Sequence, residues 1–197
     1  MTRFCMVRHG QTDWNLEGRY QGQSDVPLNA AGLAQARALA QDLKNEHFDA
    51  IYSSDLTRAI ETANAIAALH DHLSVNLDTR LREINQGQWE GVQVEEIRNR
   101  YEHLWQIRKA DPASLRPPGG ETVREVQQRV EQALNEIANL YPTENILIVS
   151  HGLALATILC TVKGVSVGQA YEHIPDNSKP VWITWPTTNN QASNLCK

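Results

Sequence analysis

Two apolar runs of the sequence end in the same pair of residues, a histidine followed by a glycine. Residues 4–7 lead into Arg8 and His9, and residues 146–150 lead into His151. Histidine is a titratable group that can act as a nucleophile, and arginine carries a permanent positive charge. Because the carboxyl ends of neighbouring parallel strands meet at one edge of a sheet, we expect both histidines to lie in the same cleft.

Two further charged residues that could take part in a functional site follow predicted strands. Arg58 lies just after the strand predicted at 48–53, in the first turn of a helix that we expect Asp55 to cap. An arginine beside a helix N-terminus favours an anion, through its charge and through the free backbone N–H groups. Glu83 comes shortly after the strand predicted at 73–77.

The elements that must position these residues alternate between strand and helix, which predicts an α/β fold. We expect three α/β/α layers with a mostly parallel sheet. Apolar residues at helical spacing predict helices over 31–45, 55–69, 94–109, from 123 onward and 153–162, and a last strand is predicted at 181–185. Leu33 belongs to the predicted buried face of the helix over 31–45. Thr122 and Glu125 have the spacing of a capping box at the start of the helix that begins at 123.

The chain is expected to form a single domain over residues 1–197. Prolines and glycines concentrate between residues 111 and 120, which marks the end of a predicted helical insertion at about 92–120 that covers the active site. Residues 187–197 are polar and predict a loosely ordered tail.

Composition excludes several classes of protein. A charged content of 21% and a hydrophobic content of 41% are typical of a soluble globular protein, and a net charge of −5 argues against a nucleic-acid partner. No apolar run approaches the roughly 18 residues that a membrane span needs. Three scattered cysteines predict reduced thiols and a cytoplasmic location, and we expect a monomer or a homodimer.

Three kinds of site fit the predicted cluster of histidines, arginines and glutamate. A metal site would mix its ligands with two arginines and lacks the usual spacing of paired histidines. A purely structural role would explain any one of the residues by itself. The third possibility is a site that cleaves a phosphate ester: a histidine attacks phosphorus, arginines and a second histidine stabilise the oxygens, and Glu83 protonates the leaving alkoxide.

Several segments together resemble the histidine phosphatase superfamily, the phosphoglycerate mutase-like proteins. The resemblance extends over nearly the whole chain, and the motifs occur in the order that this family shows. The matching segments are Arg8–Asn15, Asp25–Gly32, Ser53–Ala59, Leu81–Glu83, Gly87–Gly91, Pro118–Glu121 and Val149–Gly152.

This resemblance implies a role for each candidate residue. His9 would be the phosphorylated nucleophile and Glu83 the proton donor. Arg8, Arg58 and His151 would bind the phosphoryl group. Three further residues would support it: Asn15, Gln21 and Gly22. The family needs no metal, we expect no cofactor for this chain, and the substrates would be small phosphorylated metabolites. Asn177 resembles an asparagine near the family's last strand.

Within this family, the sequence favours a phosphatase of the histidine acid type over a mutase. Cofactor-dependent phosphoglycerate mutases carry Arg-His-Tyr-Gly after the acid, whereas residues 84–87 here are Ile-Asn-Gln-Gly. A mutase also needs a second anion site, and the sequence shows no obvious second cluster of basic residues. The basic residues that could contribute to one lie in the predicted insertion: Arg98, Arg100, Arg108, Lys109 and Arg116. The mutase stays an alternative. A non-catalytic module that binds a phospho-ligand or a protein is another, although such a module would be expected to lack the nucleophile or the acid.

Overall fold

The computed structural model describes residues 1–187, and a five-stranded sheet lies at the centre of this part of the chain. The strands are β1 (Thr2–Arg8), β2 (Ala50–Ser53), β3 (Val75–Leu77), β4 (Asn145–Ser150) and β5 (Pro180–Trp185). Their order across the sheet is β3-β2-β4-β1-β5, and only the β1–β5 pair is antiparallel. The predicted mostly parallel sheet is therefore confirmed. Apart from Thr187, the predicted tail lies outside the described residues.

Helices connect and cover the strands. They are α1 (Asp13–Leu16), α2 (Ala30–Leu43), α3 (Thr57–Ala67), α4 (Val94–Arg100), α5 (Glu102–Ala110), α6 (Val123–Leu140) and α7 (Gly152–Lys163). Within residues 1–187, no helix combines the length and the apolar character needed to cross a membrane.

Alternating side chains of the central strands bury both faces of the sheet. On β1, Phe4 and Met6 pack in a core shared with α6 and α7, whereas Cys5 and Val7 point to the other face and pack in a core with α2 and α3. Successive residues of a strand point to opposite faces, so an uninterrupted apolar run indicates a strand covered on both sides. The predicted three-layer α/β/α arrangement is confirmed.

The register of the parallel strands aligns the carboxyl ends of β1, β2 and β4, which the candidate site residues follow. Arg8 at the end of β1 pairs with Ser150 at the end of β4, and Ser53 at the end of β2 pairs with Val149. The residues that follow these three strands consequently lie side by side at one edge of the sheet.

The capping box predicted at Thr122 is present, and Asn29 caps helix α2. The Asn29 side chain accepts a hydrogen bond of 2.8 Å from the Gly32 N–H. Thr122 accepts from the Glu125 N–H at 3.2 Å, and the Glu125 carboxylate accepts from the Thr122 N–H at 2.8 Å. These bonds satisfy backbone groups that a helix start otherwise leaves without partners.

The predicted cap at Asp55 is wrong. Helix α3 begins at Thr57 after Leu56, which makes no side-chain cap. The carboxylate of Asp25, 32 residues earlier in the chain, instead accepts a hydrogen bond of 2.7 Å from the Thr57 N–H. Asp55 is committed elsewhere, because its carboxylate accepts a hydrogen bond of 2.6 Å from Arg82.

The helix predicted over 94–109 is two helices, α4 and α5, separated by Tyr101 with φ −122° and ψ 45°. The break lets the Tyr101 ring pack 5.9 Å from the Trp89 ring, in a small apolar cluster built around Trp89, Ile97 and Leu115. Leu33, predicted to be buried, is 38% exposed, and the buried face of α2 uses Leu39 instead.

Candidate active site

A cavity of about 300 Å³ opens where β1, β2 and β4 end. Its walls include every predicted site residue except one: Arg8, His9, Asn15, Gln21, Gly22, Arg58 and Glu83. The exception is His151, which is completely buried and whose ring centroid lies 5.1 Å from that of His9. The structure thus brings together, around one small volume, residues that are up to 143 positions apart in the chain.

His9 is held as a neutral imidazole with one free nitrogen. Its Nδ1 lies 2.6 Å from the Gly10 carbonyl oxygen, which can only accept, so Nδ1 carries the proton and Nε2 keeps its lone pair. Burial, followed by the charges of Arg58 and Arg8, lowers the pKa of His9 well below its ordinary value. The Asn177 side chain donates a hydrogen bond of 2.7 Å to the His9 carbonyl and holds the backbone in place.

His151 presents one unsatisfied nitrogen. Its Nε2 lies 2.8 Å from the Ser54 hydroxyl, which also accepts a hydrogen bond from the Leu56 N–H. Its Nδ1 is buried and has no hydrogen-bond partner within residues 1–187. Burial and then the charge of Arg58 lower the pKa of His151 well below its ordinary value. Buried polar groups are normally paired, so an unpaired one beside a cavity indicates a place for a ligand.

Arg8 and Arg58 are oriented by backbone carbonyl groups. Arg8 donates to the Pro175 carbonyl at 3.0 Å, and Arg58 donates to the carbonyls of Ser24 and Gly22 at 2.8 Å each. The Nε of each arginine is buried without a partner in the described part of the chain. Burial lowers the pKa of Arg58 to about 10, which leaves the guanidinium charged at neutral pH. Two fixed cations therefore present free donors beside His9.

The Glu83 carboxylate sits at the N-terminus of α7. It accepts hydrogen bonds of 3.1 Å from the N–H groups of Leu153 and Ala154, and one of 2.9 Å from the Ile84 N–H. Free N–H groups at a helix start are natural partners for an acidic side chain. These contacts fix the carboxyl group in the wall of the cavity.

Arg129 on α6 holds the segment that carries Glu83, and nothing in its sequence context predicted this. It donates to the backbone carbonyls of Arg80, Arg82 and Glu83 at 2.8, 2.6 and 2.9 Å. It also donates to both carboxylate oxygens of Glu121, at 2.9 and 3.0 Å. A planar guanidinium with five donors suits such an arrangement.

The three supporting residues contribute in different ways. The Asn15 side-chain oxygen accepts from the N–H and the hydroxyl of Thr12, at 3.0 and 3.1 Å, and completes the capping box of α1. The Gln21 side chain lies 2.9 Å from the same hydroxyl. Gly22 acts through its backbone carbonyl, which orients Arg58.

The turn after His9 lies directly against helix α2. A Cβ atom on Gly32 would lie 2.0 Å from the Gln11 carbonyl oxygen, and one on Gly10 would lie 2.6 Å from the Gly32 carbonyl oxygen. Only glycine allows two backbones to approach so closely. Helix α2 thereby supports the backbone that carries the candidate nucleophile.

A further cation reaches the cavity from α5. Among the five basic residues that the predicted insertion offered, it is Arg108 that lines the cavity. Its guanidinium lies over the rings of Tyr171 and Trp105, 4.2 and 4.7 Å from their centroids, and it donates a hydrogen bond to the Tyr20 hydroxyl. In residues 1–187, no group of three His, Cys, Asp or Glu side chains is placed to hold a metal ion.

The sequence pattern of the histidine phosphatase superfamily, branch 1, matches residues 4–195. The chain belongs to the histidine phosphatase superfamily. It is 35% identical over 178 residues to a protein named phosphoserine phosphatase 1 from Hydrogenobacter thermophilus, covering 90% of this chain and 84% of that one. A relative from Proteus mirabilis named "Probable phosphoglycerate mutase GpmB" is 39% identical over 166 residues, covering 84% and 76%.

Solved structures of the superfamily show the same fold. The structure of Bacillus stearothermophilus YhfR superimposes with a TM-score of 0.85 at 33% sequence identity, covering 93% of this chain and 91% of the other. The relatives of this superfamily member therefore include both phosphatases and mutase-like proteins.

Proposed function

We propose that the protein is a metal-independent phosphomonoesterase that hydrolyses a small phosphorylated metabolite through a phosphohistidine on His9. The main support is a set of three buried nitrogens beside a neutral imidazole that have no hydrogen-bond partner within residues 1–187: Nε of Arg8, Nε of Arg58 and Nδ1 of His151. A phosphate group offers oxygen acceptors for the two arginine N–H groups, and for the Nδ1–H group of His151 in the tautomer whose Nε2 accepts from Ser54. The similarity to a protein named phosphoserine phosphatase agrees with this activity.

In the first step of the proposed reaction, Nε2 of His9 attacks phosphorus in line with the ester oxygen. The P–O bond to the alcohol breaks as the N–P bond forms, and the leaving alkoxide takes a proton from Glu83. The imidazole gains positive charge, which the Gly10 carbonyl stabilises through the Nδ1–H group at 2.6 Å. Arg8, Arg58 and His151 stabilise the charge on the phosphoryl oxygens.

In the second step, a water molecule attacks the phosphohistidine. Glu83, now ionised, accepts a proton from the water, the N–P bond breaks, and inorganic phosphate leaves with His9 restored. Asn15 on α1 and Gln21 after that helix support the phosphoryl group, and Gly22 supports it through Arg58. Two arginines supply the positive charge that a metal ion would otherwise provide, so we expect no metal and no cofactor.

The decisive experiment replaces His9 by alanine and measures hydrolysis of p-nitrophenyl phosphate in the presence of a chelator. The variant should lose at least about 10³-fold in turnover, because no other group on this wall can form the covalent intermediate. His47→Ala, an exposed histidine, serves as the matched control and should keep full activity. The mechanism is wrong if His9→Ala turns over at the wild-type rate or if the chelator abolishes activity.

Phosphoglycerate mutase activity is the second candidate, supported by the 39% identity to the Proteus mirabilis protein. Incubation with 3-phosphoglycerate distinguishes the two, because a mutase yields 2-phosphoglycerate whereas a phosphatase releases inorganic phosphate. We expect phosphate release. The cytoplasmic location and the monomeric or homodimeric state stay predictions.

A further inference from the structure

Arg108 on α5 carries a positive charge at the wall of the cavity. It is half-buried, whereas Arg98, Arg100 and Lys109 on the same pair of helices are exposed. It forms no ion pair with any carboxylate among residues 1–187, while Arg100 is paired with Glu96. Taking a charged group partly out of water is unfavourable unless another charge or a set of hydrogen bonds compensates.

The surroundings of Arg108 fix its position and leave its charge available. The rings of Tyr171 and Trp105 lie against the guanidinium, and one nitrogen donates to the Tyr20 hydroxyl. Aromatic faces attract a cation without neutralising it. Because the Tyr20 oxygen accepts from Arg108, the proton of that hydroxyl remains free for another acceptor. Both side chains line the same cavity as His9.

We propose that Arg108 and Tyr20 bind a carboxylate on the leaving alcohol, so that the preferred substrates are small phosphomonoesters that also carry a carboxylate. This inference rests on the proposed function of the same cavity. The planar guanidinium matches the two oxygens of a carboxylate. The cavity volume of about 300 Å³ suits a small ester that contacts both His9 and Arg108.

The test compares two phosphate esters that differ at one position. 3-Phosphoglycerate carries a carboxylate where glycerol 3-phosphate carries a hydroxymethyl group. The wild-type protein should prefer 3-phosphoglycerate in kcat/KM by about 10- to 100-fold, the range expected for hydrogen bonds to a charged group. Arg108→Met should remove this preference, mainly by raising KM for 3-phosphoglycerate, and should change kcat/KM for glycerol 3-phosphate by less than about threefold.

Arg98→Met is the matched control, because it removes an exposed charge from α4 and should leave the preference intact. Equal losses on both esters in Arg108→Met would overturn the proposal and indicate that Arg108 supports the wall or the phosphate itself. A wild-type protein that hydrolyses both esters equally well would also overturn it.

A binding measurement separates this inference from the proposed reaction. In the His9→Ala background, calorimetric titration should show 3-phosphoglycerate binding about 10- to 100-fold more tightly than glycerol 3-phosphate, and the addition of Arg108→Met should abolish the difference. If the wild-type protein is inactive but this binding difference is present, the proposed function fails while the carboxylate site stands. If activity is present but the binding difference is absent, the carboxylate site fails alone.

Discussion

Replacing Arg129 by methionine removes five hydrogen bonds that hold the Glu83 segment and Glu121 in place. Arg129 is too far along the chain to be a local partner, since its contacts to carbonyls span 46 to 49 residues. It touches the backbone of Glu83, and the carboxyl group of Glu83 is on the cavity wall. Arg129 is therefore a positioning residue for the proposed acid.

The expected size of the effect follows from burial and geometry. The side chains of Arg129 and Glu121 are 17% and 23% exposed, so the pair is largely withdrawn from water. Removing one partner of such a pair costs roughly 3–5 kcal/mol in the free energy of unfolding. If Glu83 then shifts by about 1 Å, the rate of a step that needs its proton should fall roughly 10²-fold.

The assay compares two leaving groups. Nitrophenolate leaves readily without a proton, whereas an alkyl alcohol needs one, so loss of acid catalysis should show mainly on the alkyl ester. Arg129→Met should lose about 10²-fold in kcat on glycerol 3-phosphate and much less on p-nitrophenyl phosphate. Glu121→Gln should show a smaller change with the same selectivity, and Arg129→Lys should restore part of the rate.

Arg124→Met on the same helix is the control, because Arg124 makes one exposed contact of 3.4 Å to Ser114 and should leave both rates unchanged. Equal losses of Arg129→Met on both esters, in protein shown to be folded by its thermal transition, would refute the positioning role. Wild-type rates on the alkyl ester would refute it too.

Two further outcomes are expected. Glu83→Gln should lose about 10²–10⁴-fold on alkyl phosphates and far less on p-nitrophenyl phosphate, and a uniform loss would contradict its role as the acid. The lowered pKa values of His9 and His151 mean that, below about pH 6.5, the unfolded chain binds more protons than the folded protein. The free energy of unfolding of the ligand-free protein should therefore fall as the pH drops from about 7 to about 5. Denaturant titrations across this range should show a shallower fall in His9→Gln/His151→Gln, and an unchanged slope would count against neutral buried histidines.

The cluster of candidate site residues could be predicted because the carboxyl ends of neighbouring parallel strands lie at the same edge of a sheet. If residues 4–7 and 146–150 form neighbouring parallel strands, His9 and His151 must lie at the same edge of the sheet. The alternation of buried side chains on β1 likewise follows from an uninterrupted apolar run.

The features that sequence reasoning missed depend on contacts between distant segments. Asp55 is a residue type that often caps helices and lies near the start of α3, but its carboxylate accepts a hydrogen bond from Arg82 instead. The Thr57 N–H at the start of α3 donates to the carboxylate of Asp25. In the sequence, Arg129 is one of many polar residues on an amphipathic helix. Arg108 was one of five basic residues in its segment, and only the packing of Tyr171 against α5 shows which of them reaches the cavity.

The close approach of Gly32 to the Gln11 carbonyl closes one side of the cavity to movement. The turn that carries His9 cannot recede toward α2, because no side-chain atom separates the two backbones. If His9 carries a phosphoryl group as proposed, the space for that group must come from another side of the cavity. Helices α4 and α5 border the cavity there, as two short helices joined at the non-helical residue Tyr101. We expect alcohols of different size to displace that side, while the distance from His9 to phosphorus stays constant.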